Sequence, residues 1–474
     1  MATPTVPSSE TSQIIESLRS QANSILGSVL STPLQAFTVS GLGNFPYYWT
    51  NPTNLEFNNL TYGWINANLA ANTTPVEQDQ TFSGYFIEAL GSISYQLSAS
   101  DQAALTKAQQ NATNQQAALL AAWKSAYGSI PAATNTQQPI DIILNTIATT
   151  WARPATTLMA MQTSKNLFQL LNNMPASGKA IAPVLSQYLN ALGSAISLQN
   201  ATTMNTGYVQ QALANVQAPS TSNGGLTTDD GVIHPAYAVA TQLSTIINGL
   251  SATSNAATLA MTVQRTSSTQ YTVSVNGGTS FQIPILDFFS LGVSSSASYF
   301  QDQIATSSNT ISITMKFTGI TLVNFGPVAF DLSTGLNWYW TLPVTQALAN
   351  GSSGVSGFVF SPNPNIDFST SGPFGFISGV AISNYPSVSI TVSGSNYESI
   401  QKTFQSQTSV SLSFLGIPLG GGSVSNYSNS VSTDASNQSV TITLDPPPEL
   451  VAGTSTSSVG WVLGVQTQYP GATS

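Results

Sequence analysis

Two similar stretches of the C-terminal half each end in a run in which apolar and polar residues alternate strictly. The first is FSLGVSSSASYFQDQIATSSNTISITMKF at 289–317, and the second is FLGIPLGGGSVSNYSNSVSTDASNQSVTITL at 414–444. Each ends in a run of period two, which is typical of a β-strand with one buried face. The pattern predicts two similar Ser/Thr-rich hairpins. Their predicted apolar faces consist of Ile311, Ile313, Met315 and Phe317 in the first copy and of Val440, Ile442 and Leu444 in the second.

The N-terminal half follows a different period. Its apolar residues recur every three or four positions, as at Ile14, Leu18 and Ala22, which indicates amphipathic helices. From about residue 269 the period changes to two, and Asn276-Gly277 between alternating runs predicts a tight hairpin. The predicted fold class is therefore α+β, with an N-terminal, mostly α-helical bundle followed by a C-terminal, all-β, antiparallel and sandwich-like region.

The same patterns divide the chain into four segments. The boundaries fall where the period changes or where Pro, Gly and Asp accumulate. The predicted segments are a helical bundle with an irregular aromatic-rich layer (1–217), an exposed linker (218–235), a helical connector (236–265) and an antiparallel β domain with the hairpin repeat (266–474).

Charge is scarce along the chain. Charged residues make up only 6% of the 474 residues, and the net charge is −9, whereas an ordinary soluble protein has about 25%. Uncharged polar residues must therefore supply the surface, and edge strands gain little protection against self-pairing. The lack of a basic cluster argues against nucleic acid as a partner. The chain has no Cys, so it forms neither disulfides nor Cys-ligated metal sites.

Groups that could carry out catalysis are few. His234 is the only histidine and precedes Pro235, and no G-x-S-x-G motif supplies a serine nucleophile. Asp229 and Asp230 could offer oxygens to calcium, but the loop lacks the alternating acidic spacing of a dedicated site. An exposed histidine and a solvated turn are the favoured interpretations.

A two-carboxylate glycoside hydrolase would leave no motif, because its acids meet from distant positions. Helix starts and strand ends explain the candidate acids equally well. We therefore expect a protein that is not an enzyme and that needs no cofactor or metal. The candidate acids are Glu88, Asp101, Asp141, Asp287 and Asp331.

Two aromatic clusters could form platforms for sugars, since flat rings stack on the apolar faces of pyranoses. The alternative is core packing, because Trp338 and Trp340 would point to the same side of a strand. The residues predicted to contact a glycan are Tyr48, Trp49, Trp338 and Trp340.

The first residues lack the basic start and apolar core of a signal peptide, and no run of about 18 apolar residues occurs. We therefore expect a soluble monomer. The functional hypotheses below place its action outside the cell or at the cell surface. It would arrive there by a route without such a peptide, with cytoplasmic storage before release as one option.

The amphipathic repeats support three hypotheses for function. The leading one is a non-enzymatic, membrane-active, pore-forming or toxin-like protein that assembles through its β half, with the apolar residues of the repeats facing lipid. In the structural alternative, the same residues form the core of a sandwich. The second hypothesis is a self-associating structural or adhesive surface protein, and the third is a carbohydrate-binding protein. The expected partners are further copies of the chain, membrane lipid or a cell-surface glycan.

Overall fold

The computed structural model confirms the α+β fold class, because helices lie mostly in the N-terminal half and antiparallel strands in the C-terminal half. The structure describes residues 9–27, 30, 32–34, 44–47, 62–63, 65–66, 81–152, 171, 173–228, 230–267, 271–278, 280–283, 289–292, 299–306, 309–351, 354–407, 410–414, 417–419, 427–452 and 458–472.

These residues contain eight α-helices and nineteen strands. The helices are α1 (Ser9–Leu26), α2 (Phe82–Gly91), α3 (Ala99–Tyr127), α4 (Pro139–Thr146), α5 (Ala182–Gln217), α6 (Leu243–Ser251), α7 (Thr341–Asn350) and α8 (Tyr397–Gln405). The strands are β1 (Asn44–Pro46), β2 (Ile93–Gln96), β3 (Leu226–Thr227), β4 (Ile233–His234), β5 (Tyr237–Val239), β6 (Ala256–Arg265), β7 (Tyr271–Val275), β8 (Ser280–Ile283), β9 (Phe289–Gly292), β10 (Thr310–Thr318), β11 (Thr321–Pro327), β12 (Gly357–Phe360), β13 (Phe376–Ser383), β14 (Ser387–Ser393), β15 (Ser411–Phe414), β16 (Ile417–Pro418), β17 (Ser428–Asp434), β18 (Ser439–Asp445) and β19 (Val459–Gln468).

Contacts divide the chain into two compact units. The first unit comprises residues 1–91, 212–341 and 365–474, and the second comprises residues 92–211 and 342–364. The first unit therefore contains both large sheets together with α1 and α2, which the sequence patterns assign to the N-terminal bundle. An amphipathic period identifies a helix but not the element on which its apolar face packs.

The second unit has its own helical core. Helices α3, α4 and α5 and the π-helical turn Ile147–Trp151 pack apolar side chains that include Trp123, Trp151 and Leu185. Local sequence fixes the ends of α3, because the Ser98 hydroxyl accepts a hydrogen bond from the Asp101 amide and Gly128 ends the helix in a left-handed conformation.

In the first unit, a seven-stranded antiparallel sheet has the order β17-β18-β14-β10-β6-β7-β8. The predicted hairpin at Asn276-Gly277 is confirmed as the β7–β8 pair, and both turn residues have positive φ angles. One face of the sheet is apolar and buried, and the other carries hydroxyl groups. This placement explains the strict alternation in its strands.

A five-stranded antiparallel sheet of the same unit has the order β1-β19-β13-β11-β5. Every residue of its central strand β13 is buried. Leu322, Ala381 and Trp461 of this sheet belong to the same core as the apolar face of the seven-stranded sheet, and the Trp461 ring lies 6.2 Å from that of Phe317. The two sheets therefore share one core, as in a sandwich.

The prediction of a helical connector over residues 236–265 is wrong for its second half, which is strand β6. Ala257, Leu259, Met261 and Val263 are buried in alternation. Ala, Leu and Met favour helices, but pairing with β10 and β7 overrides that preference. Residues 218–235, predicted to be an exposed linker, contain a short 3-10 turn and the β3–β4 pair.

The prediction of two equivalent hairpins is also wrong for the first copy. Strand β9, which begins the first repeat, pairs with β15, with Phe289 opposite Phe414 and Leu291 opposite Leu412, so the first repeat begins beside the strand that leads into the second. Among the residues that the structure describes, only the second copy contains a hairpin, β17–β18. The period of a strand sets which side chains share a face, whereas its partner depends on the whole sheet.

Candidate functional site

The seven apolar residues singled out in the repeats all line the core of the first unit. Each has an exposed fraction of 0%. Strands β10 and β18 lie on the two sides of β14, so each apolar residue of β14 has one neighbour from each repeat. Val392 lies between Ile311 and Val440, Ile390 between Ile313 and Ile442, and Val388 between Met315 and Leu444. In this folded form the residues are core, and their contact with lipid stays a prediction.

The opposite face of the same sheet carries hydroxyl groups in register. One rank crosses all seven strands with a Ser or Thr on each, and every member is exposed or half-exposed. Neighbouring strands lie about 4.8 Å apart, so such side chains contact each other. The hydroxyls of Thr391 and Thr441 are 3.0 Å apart. The rank consists of Ser432, Thr441, Thr391, Ser312, Thr262, Ser274 and Ser280.

A second rank lies next to the first and contains Ser430, Thr443, Ser389, Thr314 and Ala260. Neither rank contains a charged residue. We call the two ranks together the hydroxyl face. The sequence shows which residues of each strand are polar, but only the register shows that they form continuous rows.

Helix α1 covers part of the apolar face. Its Ile14, Leu18 and Ala22 are buried in the same core as the apolar residues of β10 and β18. Gln21 fixes this position: its side-chain nitrogen donates to the Thr258 carbonyl at 2.9 Å, and its side-chain oxygen accepts from the Thr258 amide at 2.9 Å. The side-chain amide of α1 thus pairs with β6 as a neighbouring strand would.

The turn after β7 continues this protection of β6. The Asn276 amide donates to the Ala260 carbonyl at 2.6 Å, and the Ala260 amide donates to the Asn276 side-chain oxygen at 2.8 Å. Asn276 also donates from its side chain to the Ser17 hydroxyl of α1 at 2.8 Å. The contact with Ser17 and the Gln21 pair with Thr258 join residues more than 200 positions apart, and no pattern in the sequence indicates them.

The two tryptophans predicted to contact a glycan are buried in this folded form, and their contact with a glycan stays a prediction. Trp338 is 1% exposed, and its ring nitrogen donates to the Ala236 carbonyl at 2.9 Å. Trp340 is also buried, and its ring lies 5.7 Å from that of Phe330. The core alternative therefore describes both tryptophans. Tyr48 and Trp49 lie outside the described residues.

The candidate acids serve local structure. In the second unit, Asp101 lies in the first turn of α3 and accepts a hydrogen bond from Ser356, and Asp141 accepts one from the Gln138 amide at the start of α4. In the first unit, Asp331 accepts bonds from Ser333 and Thr334, which lower its carboxyl pKa to about 2.

Two further residues complete the five candidate acids. Glu88 is exposed on α2, and Asp287 lies outside the described residues. The described positions are those of helix starts, a turn and a surface, and catalysis by carboxylates stays untested.

His234 is half-buried rather than exposed. Its ring stacks on that of Tyr62 at 4.3 Å, and its Nε2 atom is buried without a hydrogen-bond partner among the described residues. Burial lowers the pKa of His234, and the Asp230 carboxylate raises it in part. The Thr228 hydroxyl donates to Asp230 and lowers the pKa of that carboxyl. Asp229 lies outside the described residues.

Among the described residues, no helix has the length and apolar content needed to cross a bilayer. In the same part of the chain, no group of three His, Asp or Glu side chains is placed to hold a metal ion. Comparison with protein-family models, curated proteins and solved structures gives no match.

Proposed function

We propose that the protein is a non-enzymatic, membrane-active, pore-forming protein that assembles through its β half. The observation that supports this most is the two-sided seven-stranded sheet. Its apolar face includes the seven repeat residues at 0% exposure, and its hydroxyl face has two ranks without charge, followed by one cation, Lys316, in the next row. Hydroxyl groups cost much less to remove from water than charged groups do. A sheet of this composition can therefore move to a membrane at lower cost than an ordinary charged sheet.

Strands β6 and β10 are the central pair in this proposal. They contain 10 and 9 residues, and a tilted strand needs about 9 to 11 residues to cross the hydrocarbon layer. Their apolar side chains face the core that α1 helps to cover. Lipid contact therefore requires this core to open: the five-stranded sheet must separate from the apolar face, and α1 must move away from β6. The Gln21 pair with Thr258 opposes the movement of α1.

The first experiment links α1 to β6 reversibly. The chain contains no Cys, so Gln21→Cys combined with Thr258→Cys provides the only thiols. A bismaleimide with a cleavable disulfide spacer joins them. We expect dye release from liposomes to stop in the linked protein and to return after reduction, and the reduced sample is the matched control. Release that is unaffected by the link, or no release from neutral and anionic liposomes with the unmodified chain, contradicts the proposal.

Self-association is a second candidate function, and the edge strand β17 favours it. This strand ends the seven-stranded sheet, and Asp434 is its only charged residue. Natural edge strands usually carry Lys or Pro that prevents pairing with another chain. β17 contains neither.

Sedimentation velocity tests this assembly. We expect Ser430→Lys with Ser432→Lys to shift the chain towards the monomer, because two cations on each copy repel each other. Ser280→Lys on β8, at the opposite edge, is the control and leaves the distribution unchanged. A monomeric unmodified chain at all concentrations, or equal effects at both edges, contradicts assembly through β17.

A further inference from the structure

A cleft of about 480 Å³ opens on the five-stranded sheet of the first unit. Strands β5, β11, β13 and β19 and the segment before α7 line it. This volume lies within the range of about 300–1,000 Å³ for small-molecule sites. None of its lining residues is charged. The polar and aromatic side chains important here are Asn324, Tyr339, Phe376, Gln466 and Gln468.

A glycine shapes the floor beside this cleft. Gly379 lies in register between Asn324 on β11 and Gln466 on β19. A Cβ at position 379 would lie 2.8 Å from the Asn324 side-chain oxygen and 3.0 Å from that of Gln466. The two amide oxygens therefore converge above the glycine, and Gln466 is held in this orientation because its side-chain nitrogen donates to the Thr32 carbonyl at 2.7 Å.

Three neutral polar side chains of the cleft have no hydrogen-bond partner in the described part of the chain. They are the side-chain amides of Asn324 and Gln468 and the hydroxyl of Tyr339. An amide offers both donors and acceptors, and a phenol offers a donor. Burial raises the pKa of Tyr339, so this hydroxyl keeps its proton over the physiological range.

The aromatic rings add an apolar surface. Tyr339 and Phe376 form an edge-to-face pair with ring centroids 5.7 Å apart. An apolar surface beside uncharged donors and acceptors suits a ligand with an apolar ring face and many hydroxyl groups. Phosphorylated or carboxylated ligands would lack the cationic partner that they usually require.

We infer that this cleft binds a neutral saccharide, with Asn324, Gln468 and Tyr339 hydrogen-bonded to its hydroxyl groups and the Tyr339–Phe376 pair against its ring. This site is separate from Trp338 and Trp340, which are buried. The inference goes beyond the proposed membrane activity and depends on different residues, so either can fail alone.

The test uses the full chain on a microarray of neutral and sialylated oligosaccharides, followed by calorimetric titration of the neutral sugar that binds best. We expect retention of neutral sugars. Gln468→Ala and Tyr339→Phe should each weaken the affinity about tenfold, since each removes hydrogen bonding to the ligand. Gln282→Ala, another exposed strand glutamine, is the control and leaves the affinity unchanged.

Three outcomes overturn the inference. They are no retention of any sugar, equal retention of neutral and sialylated sugars with unchanged binding by Gln468→Ala, and loss of binding by Thr391→Lys but not by the cleft variants. The last result would place sugar binding on the hydroxyl face. Because Gln468 is exposed, its variant should retain the fold, and circular dichroism checks this directly.

Discussion

Polar side chains have different environments in the two large sheets of the first unit. In the seven-stranded sheet, polar groups lie on one exposed face and apolar groups on the other. In the five-stranded sheet, β13 is buried throughout, and polar residues such as Gln466 are enclosed at specific points. A polar group on an open face is hydrated at little cost, whereas an enclosed one needs a partner. Enclosed polar groups therefore identify places of specific structure or binding.

The largest expected effect contrasts the two faces of β10. Ile313→Ala removes a fully buried side chain between Ile390 and Met261 and should lower the free energy of unfolding by about 2–5 kcal/mol. Ser312→Ala, one position earlier on the hydroxyl face, should change it by no more than about 0.5 kcal/mol. Urea titrations measure both. Equal effects would show that the sheet does not have one buried and one open face.

The second prediction concerns the enclosed groups of the five-stranded sheet. Gly379→Ala would place a methyl group within 3.0 Å of two amide oxygens, and we expect a loss of about 1–3 kcal/mol. Gly326→Ala is the control, because its new Cβ would meet only a Phe376 ring carbon at 3.8 Å. That change should be neutral or stabilising by up to about 1 kcal/mol. A tolerated Gly379→Ala would indicate that the amides can separate freely.

A smaller effect is expected where α1 meets the seven-stranded sheet. Gln21→Ala removes both hydrogen bonds to Thr258 and should cost about 1 kcal/mol, because water replaces them at this exposed position. It should also lower the protein concentration needed for dye release. Ser24→Ala, on the exposed side of α1, is the control. Hydrogen exchange at Thr258 that is identical in both variants would contradict the role of Gln21.

The smallest effect depends on pH and concerns His234, a half-buried residue of β4. Burial lowers the folded-state pKa of His234 below its ordinary value of 6.5. Between the two values the unfolded chain binds more protons, so this residue makes stability fall as the pH drops through that window. Above about pH 6.5 it contributes no slope.

The His234→Gln variant isolates that contribution. The difference in urea midpoint between pH 7.5 and pH 5.0 should be smaller in the variant than in the unmodified chain. An equal change of the urea midpoint with pH in both proteins would mean that other titratable groups account for the whole pH dependence of stability.

Much of the fold follows from periods in the sequence. The alternation in the repeats correctly identifies the face on which Ile313 and Ile442 lie, because side chains point to opposite faces at successive positions. The helical spacing of Ile14, Leu18 and Ala22 correctly predicts α1. The sequence pattern does not identify β6 as a strand, because its Ala, Leu and Met residues also suit a helix. Pairing with the neighbouring strands decides between helix and strand.

Less of the candidate site could be predicted. Ser312 and Thr391 are recognisable as outward-facing, but their place in one rank depends on strands 79 positions apart in the sequence. The cleft beside Gly379 cannot be recognised in the sequence, because no pattern distinguishes Asn324 and Gln466 from other polar residues. Trp338 and Trp340 form an aromatic cluster in the sequence, but their burial depends on the elements that surround them.

By itself, the sequence determined the α+β class, the scarcity of charge and the apolar face of each repeat. These are local properties, set by side-chain chemistry and by the geometry of a single helix or strand. Only the tertiary structure decided that β9 pairs with β15, that β10 and β18 lie on the two sides of β14, and that α1 covers the sheet. Pairing and packing join distant segments, and their energies depend on the complete set of neighbours rather than on any one stretch of the chain.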